Sequence, residues 1–245
     1  QMVWHEGEWC ASCFESEYAL YKIKQTERNQ LQHIYVLSHY DNGVKELIRD
    51  VKFNKKPERS CWLAPFLMSF TFSLTANMLN DNSEFNLRDS TAFNIYKGNG
   101  SVVGSSNSRN ICAYIDTIDY IVPIPVSSQK KIERGYNQVD IIFKDWAHSL
   151  KEYKPSIQWL DCLEKENSTK KMYALGRVER KANIEKAFSL TSHVMHSGVL
   201  KGKRILLVDD IYTTGATLEA AAKVLVRFGQ CERVDGLAIT GGHSN

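Results

Sequence analysis

Ile205–Val208 is an unbroken apolar run that ends on two acids, Asp209 and Asp210. A strand that is apolar on both faces belongs in the middle of a parallel sheet, with helices covering it on either side. The next residues, Thr213, Thr214, Gly215, Ala216 and Thr217, form a short hydroxyl-rich turn. Leu218, Ala221, Ala222 and Leu225 then recur at helical spacing, with Glu219 and Lys223 outside at i, i+4. Strand, turn and helix in this order constrain the chain to an α/β architecture, and the alternation recurs elsewhere. His33–Tyr40, Ile118–Val122, Ile157–Leu160 and Val234–Ile239 read as further strands. Asn42 caps a helix carrying Val44, Leu47, Ile48 and Val51, and Val139, Ile142, Phe143, Trp146 and Leu150 form the stripe of another.

The same stretch carries the chemistry. Ligands of open α/β sheets gather beyond the carboxyl ends of the strands, where Asp209 and Asp210 fall. Backbone amides and hydroxyls at a helix start form a cradle for phosphate, and Gly215 lets the backbone come close without a side chain crowding the anion. Paired carboxylates accept hydrogen bonds from a ribose diol and would repel a phosphate laid directly on them. The ligand these parts describe is a phosphorylated sugar. Singly, an acid pair can be no more than a strand end and Thr-Thr-Gly no more than a helix cap. Their ordered combination is what points to a phosphoribose site.

With 245 residues, 43% hydrophobic and 24% charged, the chain fits one globular domain with a small appendage. A net charge of +3 does not by itself argue for nucleic acid. Six cysteines are too few for a disulfide scaffold and imply a reducing, cytoplasmic setting. The chain opens on Gln1 with no basic-then-apolar leader, so no secretory signal is expected. Cys61–Asn80 is uncharged over about a membrane-spanning length, but Pro65 and six Ser, Thr or Asn residues interrupt it. It reads as a partly buried helix, and the protein as no integral membrane protein. Residues 1–30 look polar and irregular apart from Cys10 and Cys13. Asp81–Asn110 is rich in Asn, Ser and Gly, within an insertion of about 81–113 that reads as a long loop.

The block around Asp209 and Asp210 resembles the phosphoribosyl-pyrophosphate (PRPP) motif of type I phosphoribosyltransferases. That resemblance implies acids on the ribose hydroxyls, the Thr213–Thr217 turn on the 5′-phosphate, and Mg²⁺ bridging the diol and pyrophosphate. The stretch "IVPIPVSSQKKIERGYNQVD" supplies Arg134, whose guanidinium suits pyrophosphate or nucleic-acid phosphate; the same RGYNQ residues also suit a cap for the helix beginning near Asn137. From Lys165 to Lys186 seven basic residues, among them Lys165, Lys170, Lys171 and Arg180, face three acids. Such a run suits a solvated face, and also a basic lid over PRPP of the kind type I enzymes use; Tyr173 beside Lys170 and Lys171 would also allow a stacked contact with a single strand.

Together with Cys10–Cys13 and "DVKFNKK" at 50–56, these motifs resemble the ComF family of competence-associated proteins. The family usually has Arg and Gln where this chain has Lys165 and Met172. The resemblance implies a type I phosphoribosyltransferase-like parallel sheet flanked by helices over residues 33–245, after a zinc-finger-like segment at 1–32. Cys10 and Cys13 supply two of the four ligands a Zn²⁺ site needs, His5 is a conceivable third, and a second pair could lie upstream of Gln1. Two functions stay open: a PRPP-site protein in the uptake of single-stranded DNA, and an active transferase releasing pyrophosphate. The first implies single-stranded DNA, a helicase-like protein and a DNA-loading protein as partners, and work at the inner face of the membrane.

Overall fold

The computed structural model describes residues 9–23, 30–73, 113–165 and 187–242. Its centre is a six-stranded sheet in the order β1-β2-β8-β7-β3-β4. The strands are β1 (Tyr18–Ile23), β2 (Ile34–Ser38), β3 (Tyr120–Pro123), β4 (Gln158–Trp159), β7 (Arg204–Tyr212) and β8 (Arg233–Gly241). All neighbours pair in parallel except β1, which runs antiparallel to β2. A separate antiparallel pair joins β5 (Leu163–Lys165) to β6 (Phe188–Leu190). The helices are α1 (Ala11–Glu17), α2 (Asn42–Phe53), α3 (Ala64–Ser73), α4 (Ala113–Asp116), α5 (Ser128–Arg134), α6 (Gln138–Ser149), α7 (Ser192–Ser197) and α8 (Ala216–Arg227).

The mostly parallel sheet between helices is the architecture expected from the alternating pattern. Alternation along β7 sorts its side chains to two cores. Leu206 and Val208 meet Val139, Ile142, Phe143 and Trp146 of α6 and the buried faces of α2 and α3. Ile205 and Leu207 meet Leu218, Ala221, Ala222 and Leu225 of α8, together with Leu163, Phe188 and Leu190. Each large apolar side chain so buried contributes roughly 1.5–3 kcal/mol. Ser69 and Thr71 explain how α3 tolerates polar residues. Both are buried, and Thr71 donates to the Leu67 carbonyl at 3.0 Å while accepting from Trp146 Nε1 at 2.9 Å. Among the described residues no helix is long and apolar enough to cross a membrane.

Three local expectations change. The N-terminal region is not irregular throughout: α1 and β1 form there, and Trp9, Phe14, Tyr18 and Leu20 are buried in the α6-side core. Ala19 and Tyr21, at the outward positions, blur the inward alternation of Tyr18 and Leu20 in the sequence. Strand β7 does not stop at Val208 but continues through both acids to Tyr212, because β8 pairs with it along its whole length, to Tyr212↔Gly241. Helix α2 begins at Asn42, so the cap position is Asp41, and the buried Glu17 carboxylate takes the amides of Gly43 and Val44. The insertion at Asp81–Asn110 lies outside the described residues.

Candidate functional site

Strand β3 pairs with β7 only as far as Pro123↔Val208, and Ile124 N donates to the Val208 carbonyl at 3.0 Å. Beyond that point Pro125 carries the chain away while β7 continues with β8. The connection after β3 runs outward to β4, whereas that after β7 runs the opposite way to β8, with α6 and α8 on opposite faces. The strand order therefore reverses between β3 and β7, where α/β sheets open a crevice. A pocket of about 550 Å³ lies there, and Asp209, Asp210, Thr213 and Thr217 line it with Arg134 and Lys165. That volume is typical of small-ligand sites.

Successive residues of a strand point to opposite faces, so the two acids meet different surroundings. Asp210, on the Leu206/Val208 side, has its Oδ2 2.9 Å from Lys52 Nζ of α2, an ion pair short of hydrogen-bond alignment. Asp209 accepts from the Asp210 amide at 2.9 Å. Burial, and next the negative charge of Asp210, push the Asp209 carboxyl well above its ordinary range. Burial, then the nearby charge of Lys130, lowers Lys165, while Asp209 acts in the other direction. Lys165 Nζ also rests 5.3 Å from the centre of the Phe188 ring.

Gly215 sits at φ +74°, and a Cβ there would lie 2.9 Å from Tyr212 Cε2. Backbone conformation and the Tyr212 ring therefore both require glycine here. Thr213 and Thr214 are exposed, and Thr214 Oγ1 accepts from the Ala216 amide at 3.4 Å. Thr213 and Thr217 belong to the pocket lining; Thr214, Gly215 and Ala216 complete the turn beside it.

Arg134 lines the pocket, and the residues after it cap the next helix. Arg134 ends α5 inside the pocket, donating to Gln138 Oε1 at 2.6 Å, and the next residue, Gly135, is left-handed at φ +87°. Asn137 then caps α6 by accepting from the Val139 amide at 3.1 Å. Five cations line the pocket: Lys52, Lys55, Lys130, Arg134 and Lys165, against Glu133, Asp209 and Asp210. Lys52, Lys55 and Lys130 carried no predicted role. They fall within the quoted motifs "DVKFNKK" and "IVPIPVSSQKKIERGYNQVD", at the end of α2 and the start of α5, and only the fold brings those helix ends to one crevice.

Lys170, Lys171 and Arg180 lie outside the described residues, as do His5 and Tyr173. Cys10 and Cys13 stand side by side at the start of α1, with Sγ atoms 2.7 Å apart. They can supply half of a tetrahedral zinc shell. Among the described residues no group of three or more potential metal ligands forms.

The phosphoribosyl transferase domain family matches this chain over residues 174–236, which spans the acid pair, the turn and α8. Sheet and match together define a type I phosphoribosyltransferase-like domain. Competence protein ComFC of Bacillus subtilis (strain 168) is 31% identical over 160 residues, 64% of this chain and 57% of that protein. Competence protein F of Haemophilus influenzae is 31% identical over 125 residues, covering 48% and 49%. DNA utilization protein YhgH of Salmonella typhi is 31% identical over 117 residues, covering 45% and 44%. The chain thus spans about half the length of the curated relatives it matches, and those matches with the domain match support a ComF-family protein.

Proposed function

We propose that the pocket binds a phosphoribosyl ligand, PRPP with Mg²⁺, and that the protein acts in the uptake of single-stranded DNA. One observation carries the ligand: the acid pair and Thr213 and Thr217 of the turn line the same crevice as five cationic side chains. Acids suit the sugar diol, turn amides the 5′-phosphate, and Arg134, Lys130 and Lys165 the pyrophosphate. Asp209 and Asp210 offer the hard oxygens Mg²⁺ prefers, and the metal would add positive charge between diol and pyrophosphate. Zn²⁺ at Cys10 and Cys13 is a further proposal, for a structural role at the start of α1. The uptake role is supported by the relatives named competence and DNA utilization proteins. Helicase-like and DNA-loading proteins are the partners this role requires.

A second reading, an active transferase passing phosphoribose to an acceptor, is supported by the half-open, solvent-facing side of the pocket at Phe53 and Lys55. Its mark would be pyrophosphate release with a panel of bases. The binding proposal is tested by calorimetric titration of PRPP with Mg²⁺ into the wild type and into Asp209→Asn/Asp210→Asn. Heat of binding in the former and none in the latter is expected; equal binding by both removes the acids from the site.

A further inference from the structure

Of the five cations that line the crevice, Lys52 alone forms an ion pair with either acid among the described residues. Its Nζ lies 2.9 Å from Asp210 Oδ2, and both side chains are largely buried. No hydrogen-bond donor among the described residues is aligned on that oxygen, so the contact is one of charge on charge. Asp209 instead accepts from the Asp210 amide. The root of Lys52 is tied down. Tyr136 Oη donates to the Val51 carbonyl at 2.6 Å. Asp50 Oδ1 accepts from Asn54 Nδ2 at 2.6 Å and lies 3.7 Å from Lys56 Nζ, and Asp50 Oδ2 pairs with Arg59. The Asp50 carbonyl accepts the amides of Asn54 and Lys56, each at 3.2 Å. These bonds fix the end of α2 to the turn between α5 and α6 and to the loop that follows. Beyond that fixed backbone, the lysine side chain is a flexible four-carbon stem carrying a compact charge.

We propose that Lys52 guards Asp210 against free divalent cations, so that a metal ion reaches this acid only together with an anionic ligand. A small hard cation takes carboxylate oxygens at roughly 2.0–2.1 Å. At that distance from Asp210 Oδ2 it would share the oxygen with an ammonium of like charge, and the two repel strongly in a partly desolvated crevice. The ammonium has to leave first, and leaving without a new partner would strand a buried charge. An incoming phosphate supplies that partner inside the same crevice, frees Asp210 and adds negative charge for the metal. Lys55, Lys130, Arg134 and Lys165 need no such exchange, because none of them is paired with an acid of the site among the described residues. The proposal rests on the phosphoribosyl reading only for what releases the lysine, a phosphorylated sugar. Exclusion of the bare cation follows from the ion pair itself.

The experiment titrates Mn²⁺, which shares the preference of Mg²⁺ for oxygen ligands, into the full chain with no other ligand, and follows the free ion by electron paramagnetic resonance. Lys52→Met should bind Mn²⁺ roughly 10- to 100-fold more tightly than wild type, since the repelling charge is gone. Lys52→Arg should stay as weak as wild type. Lys52→Met/Asp210→Asn should lose the gain. Lys52→Gln, which keeps a donor for Asp210 without the charge, should show a gain as well and carries the test if Lys52→Met fails to fold. Equal Mn²⁺ affinity in wild type and in the folded uncharged variants overturns the guard. So does a gain that survives Asp210→Asn, because the ion then sits elsewhere. A merely structural lysine would move the melting temperature and leave Mn²⁺ affinity alone. The calorimetric PRPP titration described above separates the two readings: no heat from wild type with the Mn²⁺ gain present removes the phosphoribosyl reading alone, and heat without the gain removes the guard alone.

Discussion

Replacing Lys52 by methionine should destabilise the fold and at the same time unmask the acids. Lys52 Nζ and Asp210 Oδ2 are 2.9 Å apart, with only 15% and 4% of the two side chains exposed. At that separation and an effective dielectric of about 20, Coulomb attraction amounts to roughly 6 kcal/mol. Desolvation of both groups offsets much of this, so the net worth of the intact pair is small. Losing one partner is different, because it leaves a buried carboxylate uncompensated, at roughly 3–5 kcal/mol. Asp210 also lines the crevice, which argues for the lower end, about 3 kcal/mol. For a chain of this size that is roughly 6–12 °C in Tm. Thermal unfolding in metal-free buffer should show it, and Lys52→Met/Asp210→Asn should regain most of the loss, since the orphaned charge is gone. A Lys52→Met protein that melts within about 1 °C of wild type would refute the reasoning, as would a double variant no more stable than the single.

Three further outcomes follow from the site. The Asp209 carboxyl is raised in the folded state, so the native chain holds this proton more tightly than the unfolded one. Its contribution to stability is therefore fully present below its ordinary value of 3.8 and is lost as pH rises through the folded value. Asp209→Asn should gain in Tm over wild type as pH rises from about 4 towards 8, in metal-free buffer; a gap constant with pH contradicts the burial argument. Gly215→Ala should cost about 1–2 kcal/mol for the left-handed backbone alone, and more from the Tyr212 ring, in urea unfolding. Adding Tyr212→Ala should recover only the steric part, and full recovery would mean that the positive φ costs nothing. Thr71→Val should cost about 1–3 kcal/mol because it strands the buried Trp146 Nε1 donor, and an unchanged urea midpoint would contradict that.

Much of this fold could be read directly along the chain, for reasons specific to its elements. β7 and α8 are legible because burial on both faces demands an uninterrupted apolar run and helix packing demands a regular stripe, and both demands act on neighbouring residues. The acids and the turn are local for the same reason. What was not legible depends on distant partners. β1 exists because Tyr18 and Leu20 find β2 and Phe66, and nothing within "YALYKI" announces that. β7 outlasts its apolar run because β8 is equally long. Lys52, Lys55 and Lys130 are ordinary surface lysines in the sequence and gain meaning only when two helix ends converge on β7. Gly215 was visible as a necessity, but its reason, the Tyr212 ring, required coordinates.

Hydrogen exchange, followed by mass spectrometry on the full chain with and without PRPP and Mg²⁺, tests the site where it matters most. The amides of Thr213–Thr217 should exchange more slowly when ligand is present, while those of α3, on the far core, stay as they were. Unchanged exchange at the turn under saturating ligand, or protection confined to other segments, would contradict a phosphate held on those amides.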